Sequence, residues 1–212
     1  MAQPNAKKRP PKGQAKAEPL ELGDRRRHDL LEAAYLLIGE RGLEGLRTRD
    51  IAARAGVNIS TLHYYFGTKE ALLVAVVDHA SGKFTAPPPA SRGAAPAHAG
   101  LPGLRGHLEG AWRTFKSTPY LSVVLQELVL RGQRDAATRA AFRALYDGWN
   151  DIVEEVLRSE IKAGTLRRDL DPRAGARVVT SFIIGAMVQL GVNPKAFDFV
   201  DLARRIEHWL GA

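Results

Sequence analysis

A run of short polar and planar side chains lies in segment 47–69, RTRDIAARAGVNISTLHYYFGTK, beside two apolar residues that could anchor a short helix. Leu62 and Phe66 have the i, i+4 spacing of one buried helical face. Hydroxyl, imidazole and branched apolar groups on the opposite face can reach base edges in the major groove of DNA. The segment therefore predicts contact with nucleic acid rather than catalysis. The outer face would carry Ile59, Ser60, Thr61 and His63.

Tyr64 and Lys69 follow in the same segment and could bind phosphate through a hydroxyl and an ammonium group. A further helix, capped by Thr68, would add backbone N–H donors at its N-terminus. Segment 47–69 holds four basic residues and one acidic residue, a local charge of +3. The alternative for the segment is an ordinary helical hairpin within a core. The alternative for His63 is a surface histidine without a role.

Two short helices joined at Gly56 would position these side chains. Glycine adopts positive φ freely, so the chain can turn sharply there. Thr48 is expected to cap the first of the two helices and Asn58 the second. A longer helix, with Asp24 as its N-cap and a stop at Gly42, precedes them. The pattern predicts a helix-turn-helix, whose second helix can enter the major groove.

The rest of the chain predicts further helices. Residues 84–103 form a Pro/Ala/Gly-rich loop, which is typical of a module boundary. No segment alternates convincingly with period 2, so the fold class is all-α. We expect a disordered basic tail at 1–23, a DNA-binding domain at 24–83 and a helical domain at 104–212. Helices of the last domain are expected near residues 104–116, 119–133, 136–163, 172–192 and 197–210.

Composition excludes several classes of protein. The 212 residues carry a net charge of +8 and no cysteine, which excludes a disulfide framework, a thiolate nucleophile and a Cys-ligated metal. Residues 1–27 carry +5, residues 28–83 carry −1 and residues 84–212 carry +4. The basic tail is either a solvated arm or an arm that contacts DNA. The histidines lack metal-ligand spacing, and no catalytic triad order or Gly-rich phosphate loop occurs, so we expect no metal, no cofactor and no enzyme.

The stretch 25–80 resembles the N-terminal domain of the TetR (tetracycline-repressor) family of transcriptional regulators. The resemblance rests on the helix and turn at 48–56 and on the run TLHYYFGTKEAL at 61–72. The segment 164–172 more loosely resembles the turn that precedes the dimerisation helices of this family. The resemblance implies an all-helical homodimer with a DNA-binding head and with C-terminal helices that bind a small effector.

The resemblance also implies roles for individual residues. His63 departs from the family, which usually has Tyr at this position, and a neutral imidazole donates one hydrogen bond and accepts one. Either base readout or phosphate contact therefore stays open for it. The implied phosphate contacts are Thr48, Tyr64 and Lys69. The implied base contacts are Arg49, Ile59, Ser60, Thr61 and His63.

Aromatic residues recur at helical spacing in the C-terminal part, and core packing is the simplest explanation for any one of them. The alternative is that some line an effector pocket together with two polar residues. A buried acid among them would favour a cationic or hydrogen-bonding ligand. The candidates are Trp112, Phe115, Tyr120, Gln126, Glu127, Phe142, Tyr146 and Trp149.

The last two predicted helices carry apolar surfaces that a monomer could bury only in part. Two copies could bury both in a four-helix dimer interface, whereas the alternative is an intramolecular core. The 17 uncharged residues 178–194 also approach the length of a membrane span. Their polar members favour a buried helix instead. The interface candidates are Val178, Phe182, Gly185, Ala186, Leu190, Phe199, Ala203, Ile206 and Trp209.

These patterns and the family resemblance together predict a cytoplasmic, ligand-responsive transcriptional repressor that binds a palindromic double-stranded DNA operator as a homodimer. An unknown small-molecule effector would bind the C-terminal helices and shift the dimer to a spacing that no longer fits the operator. The alternative is a helical small-molecule-binding or scaffold protein whose DNA-binding head is inactive.

Overall fold

The computed structural model describes residues 19–85 and 103–211, which form nine α-helices and no β-strand. This confirms the all-α prediction. An isolated antiparallel bridge joins Leu166 to Gly211. The helices are α1 (Pro19–Arg41), α2 (Thr48–Arg54), α3 (Ile59–Phe66), α4 (Lys69–Thr85), α5 (Gly103–Ser117), α6 (Leu121–Gly132), α7 (Ala136–Ala163), α8 (Pro172–Val192) and α9 (Phe199–Leu210).

The first helix begins at Pro19, ahead of the predicted N-cap Asp24. Proline suits the first turn of a helix because its fixed φ is helical and no N–H is needed there. The predicted disordered tail is therefore wrong for residues 19–23. The rest of that tail, residues 1–18, lies outside the described residues.

The segment between α4 and α5 is shorter than the predicted loop 84–103, because α4 continues to Thr85 and α5 already begins at Gly103. Gly103 has a φ of +83°, which glycine adopts without strain. Residues 86–102, which make up most of the predicted loop, lie outside the described residues.

Three of the predicted helix boundaries are confirmed by backbone conformation or by capping hydrogen bonds. Gly42, just after α1, has a φ of +72° and ends that helix in the left-handed region. The Asn58 side chain accepts a hydrogen bond from the backbone N–H of Thr61 at 3.1 Å and caps α3. The Thr68 hydroxyl accepts one from the backbone N–H of Ala71 at 3.1 Å at the start of α4.

Other boundaries differ from the prediction. Thr48 is the first residue of α2 rather than its cap, and the capping position belongs to Arg47, which makes no side-chain capping bond. Helix α6 starts later than expected because Tyr120 has a left-handed φ of 61°. Helix α9 starts at Phe199 because Asp198 caps it by accepting a hydrogen bond from a backbone N–H of the first turn.

The buried side chains form two cores, and the first of them crosses the predicted domain boundary. It contains residues of the four N-terminal helices, α1, α2, α3 and α4, and of α6 and α7. Leu121 and Leu128 of α6 thus pack in the same cluster as Leu30 and Leu72. The second core joins α5, α7, α8 and α9. The N-terminal helices therefore rest directly on the helices that follow the predicted loop.

Helix α8 is long and apolar enough to cross a membrane by length and composition alone. One of its faces is buried against α7 and contains small residues, including Gly175 and Ala176. The hydroxyl of Thr180 donates to Asn150 Oδ1 at 2.7 Å on that face. This buried face with a satisfied polar group is typical of a core helix, as the sequence analysis favoured.

Candidate nucleic-acid interface and ligand cavity

The helix-turn-helix places the predicted base-reading side chains on one open face of α3. Leu62 and Phe66 are 2% and 6% exposed and fix the helix to the core. The side chains of Ile59, Ser60 and His63 are exposed on the other side. Thr61, the remaining α3 candidate, is half-buried beside them. The arrangement matches a helix that is held from behind and free to enter a groove.

The turn before α3 and the helix behind it set the angle of this face. Gly56 has a φ of +67°, which a non-glycine residue adopts only with strain. The Arg27 guanidinium of α1 lies 5.6 Å from the ring centre of Phe66, within cation–π range. The hydroxyl of Ser60 donates to Asn58 Oδ1, so that this serine takes part in the α3 cap. Its outward hydrogen-bonding capacity is correspondingly reduced.

The predicted phosphate-binding residues surround this face. Tyr64 is 83% exposed and stacks edge-on against Tyr65 at 5.2 Å between ring centres. Lys69 is exposed, but its ammonium group donates to the backbone carbonyl of Leu46 at 3.2 Å. Thr48 is half-buried at the start of α2. Lys69 therefore has a structural partner as well as further N–H groups for phosphate.

The positive charge on segment 47–69 is smaller in effect than its formal +3. Arg54 makes a two-pronged salt bridge to Glu40 of α1, with distances of 2.6 and 2.8 Å. Arg49 is 3.5 Å from Asp50, and its side chain is 76% exposed. An acid outside the segment thus compensates one of its four basic residues, and the other three, Arg47, Arg49 and Lys69, are exposed.

A cavity of about 250 Å³ lies between α5, α6, α7 and α8. Five of the predicted pocket residues line it, which are Phe115, Gln126, Phe142, Tyr146 and Trp149. None of the described residues that line it carries a formal charge. Sequence reasoning missed its other lining residues, which are mainly aliphatic, because any helical core has the same pattern. They are Ser122, Leu125, Val129, Leu130, Leu145, Ile184, Met187 and Val188.

The few polar groups of the cavity are held by the protein itself. The Gln126 amide nitrogen donates to the hydroxyl of Ser122 at 2.8 Å and to its carbonyl at 3.2 Å. The indole N–H of Trp149 donates to His107 Nε2 at 2.9 Å. Burial raises the pKa of the Tyr146 hydroxyl above its ordinary value. The cavity is therefore apolar, aromatic and uncharged.

Three of the predicted pocket residues, Trp112, Tyr120 and Glu127, do not line the cavity. The ring of Trp112 stacks on Phe199 of α9, with ring centres 4.7 Å apart. Tyr120 precedes α6 and is exposed. Glu127 faces away from the cavity and accepts a hydrogen bond from the backbone N–H of Leu43 at 3.2 Å. Because Glu127 is outside the cavity, its carboxylate does not favour a cationic ligand there.

Contacts from α6 and from the turn before it reach the DNA-binding helices. Glu127 binds the turn that follows α1, as just described, and its neighbour Gln126 lines the cavity. The Tyr35 hydroxyl of α1 donates to the backbone carbonyl of Pro119 at 2.6 Å. Arg131 of α6 also lies 3.5 Å from Glu70 of α4. One helix thus touches both the cavity and the head.

An ion cluster joins α1 to α4 behind the helix-turn-helix. Glu32 Oε2 lies 2.7 Å from His79 Nε2 and 2.7 Å from Lys83 Nζ. The hydrogen bond from His79, together with the ammonium of Lys83, lowers the pKa of Glu32 from 4.5 to about 2, although partial burial opposes the shift. The same ammonium lies 4.4 Å from the ring centre of Tyr35. Nothing in the sequence pattern indicated this cluster.

The predicted dimer-interface residues divide into two groups. Five are buried within the single chain and belong to the intramolecular core, so their surface placement was wrong: Ala186, Leu190, Phe199, Ala203 and Ile206. Val178 and Trp209 are 62% and 66% exposed. Phe182 is half-buried, and a Cβ on the half-buried Gly185 would meet open space. Val178, Phe182 and Gly185 of α8 therefore form an apolar stripe that the other described residues leave partly uncovered, and the exposed Gln189 separates this stripe from Val192.

Comparison with known proteins identifies both parts of the chain. Residues 30–76 match the family model of bacterial regulatory proteins of the tetR family. Residues 103–212, more than half of the chain, match the model of the BetI-type transcriptional repressor C-terminal region. The first match covers the helix-turn-helix, and the second covers the helices that line the cavity.

Individual relatives agree with these models. The HTH-type transcriptional regulator BetI of Rhizobium meliloti is 41% identical over 58 residues, which cover 27% of this chain and 29% of that protein. The HTH-type transcriptional dual regulator CecR of Shigella flexneri is 32% identical over 117 residues, which cover 53% and 43%. The matched stretches thus span less than half the length of these relatives.

The fold as a whole is also known. The crystal structure of a TetR-family transcriptional regulator from Rhodococcus sp. superimposes with a TM-score of 0.70 at 22% identity, covering 89% of this chain and 100% of that one. At this identity the likeness concerns the fold alone. With the two family models, which together cover the head and the C-terminal helices, the conclusion is that the chain belongs to the TetR family of bacterial transcriptional regulators.

Proposed function

We propose that this protein is a sequence-specific, DNA-binding transcriptional repressor that acts as a homodimer and leaves its operator when a small effector binds. It would act in the cytoplasm, without catalysis. The observation that carries the proposal is the open face of α3, which is capped by Asn58 and anchored by Leu62 and Phe66. Exposed Ile59 and His63 on that face are not needed for packing and are free to meet base edges.

Binding to DNA would combine base contacts with phosphate contacts. The face of α3 would enter the major groove, while Tyr64, Lys69 and the start of α2 contact the backbone on its sides. Two copies related by a two-fold axis would place their α3 helices about 34–36 Å apart, in successive major grooves of a palindromic site.

The uncovered stripe on α8 supports the homodimer. Val178, Phe182 and Gly185 follow one another at helical spacing on one face. A contiguous apolar surface of this kind is typical of a subunit interface. Gly185 would let a second helix approach closely. The partner proposed for it is a second copy of this chain.

The switch would run through α6. A ligand in the cavity contacts Gln126, and the next residue, Glu127, binds the turn after α1. A displacement of α6 would therefore move α1 and the helix-turn-helix that it supports. The effector would weaken DNA binding by a free energy of at most the difference between its own binding free energies for the displaced state and the DNA-bound state.

The test is selection of binding sites from randomised duplex DNA, followed by footprinting on the selected sequence. We expect a palindromic site with salt-sensitive protection. His63→Ala and Thr61→Ala should change the preferred bases, with each lost contact worth about 1–3 kcal/mol of discrimination. His208→Ala is the matched control, since His208 is an exposed histidine on α9.

Two results would contradict the proposal. If no sequence is enriched and no region protected, the head is inactive and the protein is a small-molecule-binding or scaffold protein. If His63→Ala and Thr61→Ala both select the parent sequence unchanged, α3 does not read bases through these residues.

A further inference from the structure

A groove between α6 and α7 lies beside the cavity. A second hollow adjoins it and shares Val129, Phe142 and Tyr146 as lining residues. It lies near the turn that joins the two helices, since Gly132 at the end of α6 also lines it. The cavity and this hollow, here called the outer groove, therefore adjoin at these three side chains.

The outer groove differs from the cavity in charge. It is lined by Arg139, Arg143 and Asp147, together with Gln133, whereas the cavity lining within residues 19–85 and 103–211 is uncharged. The groove therefore carries one more positive than negative charge. A ligand that fills both would meet apolar surface at one end and a net positive charge at the other.

The two arginines of the outer groove differ in their partners. Arg139 is held by the protein, because Nε donates to the carbonyl of Gly132 at 3.0 Å and Nη2 to that of Gln133 at 2.7 Å. Arg143 is exposed, and within the described ranges 19–85 and 103–211 no carboxylate lies at salt-bridge distance from it. Its guanidinium is available to a ligand.

We infer that the effector is an anionic amphiphile, whose apolar tail fills the cavity and whose carboxylate or similar anionic group binds Arg143 in the outer groove. The inference rests on the proposed function of the cavity as the effector site. An aromatic cavity also suits a quaternary ammonium ion. Against a cation, the charged residues that line the adjoining outer groove carry a net positive charge, and Glu127 faces away from the cavity.

Three ligands with one tail and different head groups test the inference, namely decanoate, decanol and decyltrimethylammonium. Calorimetric titration of the full-length protein should give the tightest binding for decanoate. We expect an advantage of about fivefold over decanol, because an ion pair at an exposed site is worth up to about 1 kcal/mol. Decyltrimethylammonium should bind most weakly of the three.

Variants assign the difference to the outer groove. Arg143→Ala should bring decanoate down to the affinity of decanol, and Arg143→Lys should retain most of the advantage. Asp147→Asn should raise the affinity for decanoate, because it removes the opposing charge. Arg134→Ala is the matched control, since Arg134 is exposed before α7 but lines neither hollow. Decanol binding should be unchanged in all four variants.

The outcomes separate the inference from the proposed function. Equal affinities of the three ligands, or no effect of Arg143→Ala, would overturn the anionic head group while leaving the cavity as a binding site. Tightest binding of decyltrimethylammonium would overturn it in favour of a cation. If none of the three binds, the inference is overturned, and release of operator DNA by a compound from a wider library would still support the effector site.

Discussion

Lys69 illustrates how one side chain can serve both the fold and the proposed DNA contact. Its ammonium group donates to the carbonyl of Leu46, which ties the start of α4 to the turn between α1 and α2. Two further N–H groups remain for a phosphate. Removal of the side chain would therefore mix a local structural effect with the loss of a charge, and the two need separate variants.

Lys69→Gln separates them, because the amide can still donate to the carbonyl but carries no charge. We expect weaker binding to all DNA sequences and a fall of about one unit per subunit in the slope of log affinity against log salt. Base preference should stay the same. Filter binding at several salt concentrations measures both, with Lys162→Gln on α7 as the control at an exposed lysine. A loss confined to one base pair would contradict the phosphate role.

At the scale of elements, the contact of α1 with α4 depends on the Glu32 cluster. Glu32→Gln removes the charge that His79 and Lys83 share, and should lower the free energy of unfolding by about 1 kcal/mol at pH 7, a value reduced for the exposure of the carboxylate. Glu44→Gln is the control at an exposed glutamate outside any described salt bridge.

The pH dependence of stability gives this prediction a second readout. The pKa of Glu32 is lowered in the folded protein, so its contribution is complete above pH 4.5 and is lost as the pH falls towards 2. Urea unfolding from pH 7 down to pH 3 should therefore show a shallower acid limb for Glu32→Gln than for the parent. Parallel curves would mean that the cluster adds nothing to the fold.

Local chemistry explains why most elements could be predicted from the sequence. Caps such as Asn58 and Thr68, and the positive φ of Gly42 and Gly56, depend on a few neighbouring residues. The anchors Leu62 and Phe66 follow from helical spacing. The open face of α3, which is the candidate DNA-binding site, could therefore be predicted from the sequence.

Contacts between distant helices could not be predicted in the same way. Glu127 and Gln126 are neighbours, but successive residues point about 100° apart on a helix, and only the packing of α6 decides which faces the cavity. The sequence pattern of α9 predicts Phe199 as an interface residue, whereas in the structure Trp112 of α5 stacks on it. Both errors arise from tertiary pairing, which the apolar pattern of one helix does not contain.

For the whole molecule, assembly depends on the apolar stripe that α8 leaves uncovered. Ala186 is only 2% exposed, so a charge there would disrupt the core rather than the dimer. Val178 and Gly185 instead face open space on the stripe. Charges at these two positions therefore test association without burying an ion in the monomer fold.

Val178→Glu and Gly185→Glu should each give monomers at micromolar concentration, because like charges would face each other across a two-fold axis in an apolar interface. Light scattering measures the mass, and circular dichroism should show unchanged helix content. Val123→Glu on α6 is the matched control, since Val123 is a 45% exposed valine outside the stripe. Both monomeric variants should bind half-sites only, with a large loss of affinity for the palindrome. A dimer that persists in both would place the interface elsewhere than on this face of α8.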